Sequence, residues 1–372
     1  MIIGILKEPS NEKRVSLLPE QAHQLEQQKN QLLMENNAGA CAFAADTLYE
    51  NQGISCVNRS EVLAKSDIIL SIQPLQKNEL SQLQKNCVLI GMYQPLTHSD
   101  EIQFIAEKNI TCFSLDMLPR TTRAQTMDIL SSQANIAGYK AVVLAASMYP
   151  RYFPMLMTAA GSIAPAKVLI LGAGVAGLQA IATAKRLGAV VEVFDTRPAV
   201  KEEVKSLGAK FVEVEGAADA TQAGGYAVEQ SEEFKRKQQE RIAQAAIKAD
   251  IIITTAQIPG KKAPILVPDD TLDKMKPGSV IIDLAAATGG NTLQTKNDET
   301  IVYKNITIVG NSNLASTLPA DASKLYGKNI FNFLQLILSK EGQLSINFDD
   351  EIVKGACITF DGKIVNERML KQ

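Results

Sequence analysis

The sequence predicts an α/β protein of two domains, each built on a mostly parallel sheet, the two separated by a cleft and linked by long helices. Three observations carry this expectation. Short apolar runs alternate with amphipathic stretches in two successive blocks. The chain has 372 residues, enough for two ordinary domains. The second block opens on an apolar run that leads straight into spaced glycines and a helical stretch.

In the first block the apolar runs fall at 2–6, 31–34, 54–57, 68–72, 88–92 and 110–115. Helix-compatible stretches lie between them, such as 19–28, where Pro19 suits a first helical position. Such alternation favours parallel pairing, because a parallel connection needs a crossover. The second block repeats the pattern at 168–171, 190–194, 210–214, 251–254, 280–284 and 306–309. A long helix-compatible segment, 126–148, lies between the blocks, and a second, 322–339, follows the last strand of block two. The tail reads as a hairpin over 356–365 with an Asp361-Gly362 turn. Domain one is therefore expected to be discontinuous, 1–125 plus 318–372, with 126–317 inserted in it.

Composition narrows the function classes. Lys plus Arg (38) nearly balance Asp plus Glu (40), so no basic footprint for nucleic acid exists. Five cysteines are scattered with no CxxC pair, which suggests neither a disulfide framework nor a zinc site and fits a reducing compartment. No stretch reaches the about 20 apolar residues of a membrane span, and the opening apolar run is too short for a signal peptide. A soluble, cytoplasmic chain with no direct membrane insertion is expected.

The strongest chemical signal is KVLILGAGVAGLQAIATAKRLGAVVEVFD. Gly172 suits a tight turn, Gly174 lets backbone approach a pyrophosphate, and Gly177 allows close helix–strand packing. The helix that begins at Val175 and Ala176 turns free N–H groups and its positive end toward phosphates. Asp195 ends the next strand, eighteen residues after Gly177. A carboxylate there accepts ribose hydroxyls and repels a 2′-phosphate, so NAD(H) is expected over NADP in a Rossmann-like domain. Arg197 is a caution, since an arginine can accept a 2′-phosphate. The alternative is a glycine-rich turn without a ligand; strand, glycines, helix, strand and acid arriving in order argue against it.

Catalytic equipment is sparse. There are two histidines, His23 in a polar helix and His98 ahead of one, both expected at the surface. No nucleophile–base arrangement or metal cluster is suggested. The reaction is then one that needs no protein acid or base. The stretch MLPRTTRAQTMDILSSQAN, 117–135, gathers two arginines, a glutamine and an aspartate at the expected domain junction; capping polar residues at a helix start would look the same. The segment 215–230, EGAADATQAGGYAVEQ, is long for a crossover and reads as a binding loop, a lid or disorder.

These residues resemble a known family. PRTTRAQTMDILSSQ, MTAAGSIAPAKVLILGAGVAGLQAIATAKRLGA, AGGYA, TTAQIPGKKAP and MKPGSVIIDLA are similar to the soluble NAD(H)-binding part of the alpha subunit of proton-translocating NAD(P) transhydrogenase. GILKEPSNEKRVSLLPE fits the wider family shared with alanine dehydrogenase. The resemblance implies an Arg-Gln-Asp loop over the nicotinamide, here Arg120, Gln125 and Asp128 with Ser131 beside them. It implies nucleotide contacts from Gly172, Gly174, Val175, Ala176, Gly177, Asp195, Thr196 and Arg197, from Ala256 and Gln257, and from Tyr226 on a mobile loop. It further implies direct hydride transfer from NADH here to NADP⁺ on a beta subunit, a membrane-spanning alpha-2 partner that couples proton translocation, a homodimer, and a place on the cytoplasmic face of the inner membrane. Direct transfer between two C4 atoms fits the missing acid and base.

Two departures from the resemblance stand out, Gln257 in place of leucine and Asn311 in place of histidine. Alanine dehydrogenase itself implies an arginine, a lysine, a histidine and an aspartate around its substrate. Arg14 fills the first role, but Gln73, Met92 and Ala287 stand at the others, so amino-acid oxidation is not expected. A nucleotide sensor without turnover would keep the glycines and Asp195 but has no need of Arg120, Gln125 and Asp128 together.

Overall fold

The computed structural model describes residues 1–214, 231–258 and 260–371. The chain divides into two compact units, Met1–Gln133 with Ser316–Gln372, and Ala134–Ala315.

The first unit is an eight-stranded sheet. Its strands are β1 (Ile2–Ile5), β2 (Gln31–Glu35), β3 (Ser55–Val57), β4 (Ile68–Leu70), β5 (Val88–Gly91) and β6 (Thr111–Ser114), completed by β16 (Cys357–Phe360) and β17 (Lys363–Ile364). The spatial order is β17-β16-β6-β5-β4-β1-β2-β3. Pairing among β1 to β6 is parallel, and only β16 and β17 run antiparallel. Consecutive Ile68, Ile69 and Leu70 are all fully buried because both faces of the sheet are covered. Ile68 and Leu70 join one apolar cluster and Ile69 the other, as the period of two requires. Asp361 and Gly362 take φ of 50° and 73°, the left-handed pair of a tight hairpin turn.

The second unit holds β9 (Lys167–Leu171), β10 (Val190–Phe194), β11 (Lys210–Phe211), β12 (Ile251–Thr254), β13 (Val280–Asp283), β14 (Glu299–Tyr303) and β15 (Ile306–Gly310) in one sheet. Their order is β11-β10-β9-β12-β13-β15-β14, all parallel except β14. A separate hairpin joins β7 (Leu156–Thr158) to β8 (Gly161–Ile163). Strand order reverses beside β9, with β10 on one side and β12 on the other. In such sheets ligands bind at the carboxyl ends of the strands that flank this point.

The fold is α/β with mostly parallel sheets in two domains. The boundaries differ from those expected. The first falls between Gln133 and Ala134, one turn inside helix α1 (Ile129–Met148), rather than at 125/126. The second falls between Ala315 and Ser316, within the 3₁₀ turn Leu314–Thr317. The helix over 319–337 therefore belongs wholly to the first unit and is no connector: Tyr326, Ile330, Phe333, Leu334 and Ile337 are buried in that unit's core. The apolar-run reading passes over β14 and the β7–β8 hairpin. Edge and surface strands bury too little of one face to show a pattern.

Candidate functional site

The nucleotide turn follows from its own packing. Helix α2 (Val175–Arg186) starts one residue after Gly174 and stops at Gly188, φ 87°, with Ala189 donating to the Ala184 carbonyl and Gly188 to that of Lys185. Gly172 has φ 105°, and a Cβ there would lie 2.4 Å from Thr255 Oγ1. A Cβ on Gly177 would lie 1.9 Å from the Gly172 carbonyl oxygen. Gly138 of α1 meets the same helix start, where a Cβ would lie 2.1 Å from the Ala176 carbonyl oxygen. These three glycines are required by the chain itself.

Gly174 is different. Its φ is −77°, ordinary for any residue, and nothing lies within 4 Å of a Cβ built on it. The helix start beyond it receives no side-chain cap. Open space, a helix N-terminus without a cap and the sheet's switch point thus coincide, the arrangement that receives a phosphate.

Asp195 stands at the end of β10 beside this turn. Its Oδ2 accepts from the Ala173 N–H at 2.7 Å and its Oδ1 from the Arg197 N–H at 2.8 Å. The Arg197 guanidinium adds bonds of 2.9 Å from Nε and 2.7 Å from Nη2. Asp195, Thr196 and Pro198 open onto a recess of about 110 Å³, walled also by Phe211, Val214 and Phe234. Flat apolar walls next to a ribose acceptor suit an adenine ring.

The third loop follows β12. Thr255 Oγ1 donates toward the Leu171 and Gly172 carbonyls at 3.3 and 3.2 Å. Asn291 holds both sides of Ala256: its Oδ1 accepts from Ala256 N at 3.2 Å and its Nδ2 donates to Ala256 O at 2.9 Å. The Asn291 N–H in turn reaches the buried Asp283 Oδ2 at 2.6 Å. Gln257 Nε2 donates to the Leu284 carbonyl at 2.8 Å, so the residue found where leucine was expected is tied to the strand end. Asn311 Oδ1 caps its own turn by accepting from Asn313 N at 2.7 Å. Sequence reading missed Thr255, Asp283 and Asn291; the Asp that ends β13 and the Gly-Gly-Asn eight residues on were the available signal.

In the first unit, Asp128 sits one residue before α1 and accepts from the Ser131 N–H at 2.9 Å and the Ser131 hydroxyl at 2.6 Å. That is an N-cap. The preceding 3₁₀ turn, Thr122–Met127, is anchored by buried Ala124 and Met127 and by Asn329 and Asn332, which donate to the Thr126 carbonyl at 2.8 and 2.9 Å. Arg120 and Gln125 are left exposed on this fixed segment, and Arg123 pairs with Asp350. Tyr226 and the expected binding loop 215–230 lie outside the described residues.

Arg14 is buried and engaged. Nε and Nη2 reach Glu12 at 2.8 and 2.6 Å, and Nη1 reaches Gln133 at 2.8 Å. Burial pushes the Glu12 carboxyl up, but the hydrogen bond and charge of Arg14 outweigh it and hold it below the usual range. Burial pushes the nearby Glu8 carboxyl up to about 7, against the Ile72 and Gln73 N–H groups that it accepts at 2.6 and 3.1 Å. His23 and His98 are both half-exposed.

Residues 4–137 match the Alanine dehydrogenase/PNT N-terminal domain and 141–367 the Alanine dehydrogenase/PNT C-terminal domain. A Rickettsia prowazekii protein, the first part of a divided NAD(P) transhydrogenase subunit alpha, is 44% identical over 98% of this chain and 96% of its own length. The chain belongs to the NAD(P) transhydrogenase alpha-subunit family. The Rhodospirillum rubrum member, which carries the same name, is 43% identical over the full length of both chains. The crystal structure of transhydrogenase from Sinorhizobium meliloti superposes with a TM-score of 0.89 at 41% identity, covering 98% of this family member and all of that chain.

Proposed function

We propose that this chain is the NAD(H)-binding component of a proton-translocating NAD(P) transhydrogenase. Gly174 carries the reading: it is a glycine that the protein's own packing does not require, placed at an uncapped helix start on the switch point of a parallel sheet. The N–H groups of Val175, Ala176 and Gly177 receive the pyrophosphate, Asp195 the adenosine ribose, and the recess beside Thr196 the adenine. Ala256 and Gln257 line the remaining edge of the site, Ala256 held by Asn291. Gln125, with Arg120, orients the nicotinamide, on a segment that Asp128 and Ser131 fix at the start of α1.

When bound, NADH supplies a hydride that passes directly to NADP⁺ on a beta subunit. The chain's residues have only to align and to exclude water, so the absence of a placed acid or base at Gln125 is consistent with the chemistry. The saturated Arg14–Glu12–Gln133 cluster argues against a carboxylate substrate there. Partners follow from the reading: a second copy in a homodimer, the beta subunit, and a membrane-spanning alpha-2 subunit that couples transfer to proton movement. Met155 and Met157, exposed at 63% and 73% on and beside the β7–β8 hairpin, support a surface covered by protein. Among the described residues no helix is long and apolar enough to cross a membrane, so the chain is peripheral, held to the cytoplasmic face through its partners.

The deciding experiment mixes the purified chain with an NADP-binding domain from a transhydrogenase and follows hydride exchange between NADH and an NADP analogue. L-alanine with NAD⁺ runs in parallel. Exchange that requires both proteins, without alanine oxidation, is expected. Alanine oxidation without the partner would return the chain to dehydrogenase chemistry, and tight NADH binding with neither reaction would make it a sensor.

A further inference from the structure

We propose that Arg197 is a built-in competitor of the nucleotide: its guanidinium occupies the Asp195 carboxylate and is exchanged for the ribose hydroxyls when NAD(H) binds, which makes Arg197 a determinant of selectivity at the 2′ position. The inference rests on the reading of Asp195 as the ribose acceptor.

An ionised carboxylate offers about four acceptor sites. On Asp195 four donors occupy them, the N–H groups of Ala173 and Arg197 and the Nε and Nη2 of Arg197, all between 2.7 and 2.9 Å. The first two are main-chain groups held by the glycine turn and the strand end, and they cannot leave without unfolding the site. The other two belong to one long side chain. The Asp195 side chain is 6% exposed and that of Arg197 19%, so the arginine lies on the solvent side of the pair. A ribose diol donates two hydrogen bonds, and of these occupants only the guanidinium can give up two.

The released cation keeps a partner, because Arg197 also lies in the field of Glu203. It also stays at the ribose edge, where the 2′-phosphate of NADP would sit. Both effects have one sign. Arg197 opposes NAD(H) by holding its acceptor and favours a 2′-phosphate by its charge. Its removal therefore strengthens NADH binding and weakens NADPH binding, the reverse of what truncating an ordinary ligand contact does.

Calorimetric titration of the whole chain with NADH and with NADPH tests this in the wild type, Arg197→Ala, Arg197→Lys and Asp195→Asn. Arg197→Ala is expected to bind NADH roughly three- to tenfold tighter, the span of one partly exposed ion pair, and NADPH more weakly. Arg197→Lys keeps the charge without the fork and should fall between, which keeps the idea testable if the alanine variant folds poorly. Unchanged or weaker NADH binding in both arginine variants, while Asp195→Asn weakens it, overturns the competitor role and leaves the ribose assignment standing. An Asp195→Asn variant that binds NADH normally overturns both.

Discussion

A Cβ on Gly177 would sit 1.9 Å from the carbonyl oxygen of Gly172, while one on Gly174 would meet nothing within 4 Å. Two glycines of one turn are thus required for different reasons, and substitution separates them. Gly177→Ala should lower the thermal unfolding midpoint and abolish NADH binding together, since backbone must move. Gly174→Ala should leave the midpoint within about 1 °C, because an alanine there has no clash and its surface effect lies within the usual ±0.5 kcal/mol. NADH affinity should nonetheless fall for Gly174→Ala. Calorimetry on both variants checks this; a Gly174→Ala chain with full affinity would remove the phosphate from that position.

Asp128 and Ser131 form the cap of α1. Asp128→Ala should destabilise the chain by about 1 kcal/mol, the usual worth of an N-cap, whereas Asp128→Asn, which can still cap, should cost much less. Urea unfolding of the two variants measures the difference. Equal losses would mean that the carboxylate's charge, rather than its cap geometry, matters.

Gln125 is exposed on a segment that the rest of the unit holds in place. Gln125→Asn shortens the side chain by one methylene and should reduce hydride exchange at least tenfold with NADH affinity changed less than about twofold, as expected of a residue that aligns rather than binds. Parallel losses in affinity and rate, or no loss at all, would exclude alignment.

Glu8 predicts a pH dependence. Its folded pKa, raised from 4.5 to about 7 by burial, means that the folded chain holds a proton the unfolded chain has already lost. The stabilisation is complete below pH 4.5 and is lost as pH rises from there through about 7. Glu8→Gln should remove that loss, so the wild-type minus variant difference in unfolding free energy should fall across this window, by up to roughly 3 kcal/mol. Denaturation series at stepped pH give the curve; a flat difference would mean that Glu8 is ionised throughout.

The linear chain determined what local periodicity and short spacing can encode. Apolar runs located β1 to β6 and most of the second sheet, because strands buried on both faces read as unbroken hydrophobic segments. The glycine spacing located the turn before α2, and Asp195 followed from its place at the end of the next strand. Asp361-Gly362 located the last hairpin, since few residue pairs accept two left-handed conformations.

Only the tertiary structure decided the rest. It assigned the helix over 319–337 to the first unit, because that helix's apolar face is spent on Phe113, Met127 and their neighbours rather than on a crossing. It joined Ala256 to Asn291, thirty-five residues apart, and it showed Asp195 already saturated by Arg197. Amphipathicity shows that a helix has a partner without naming it, and a polar side chain in a sequence carries no mark of what it bonds. Those choices are made where distant segments meet, by the requirement that every buried donor and acceptor find a partner.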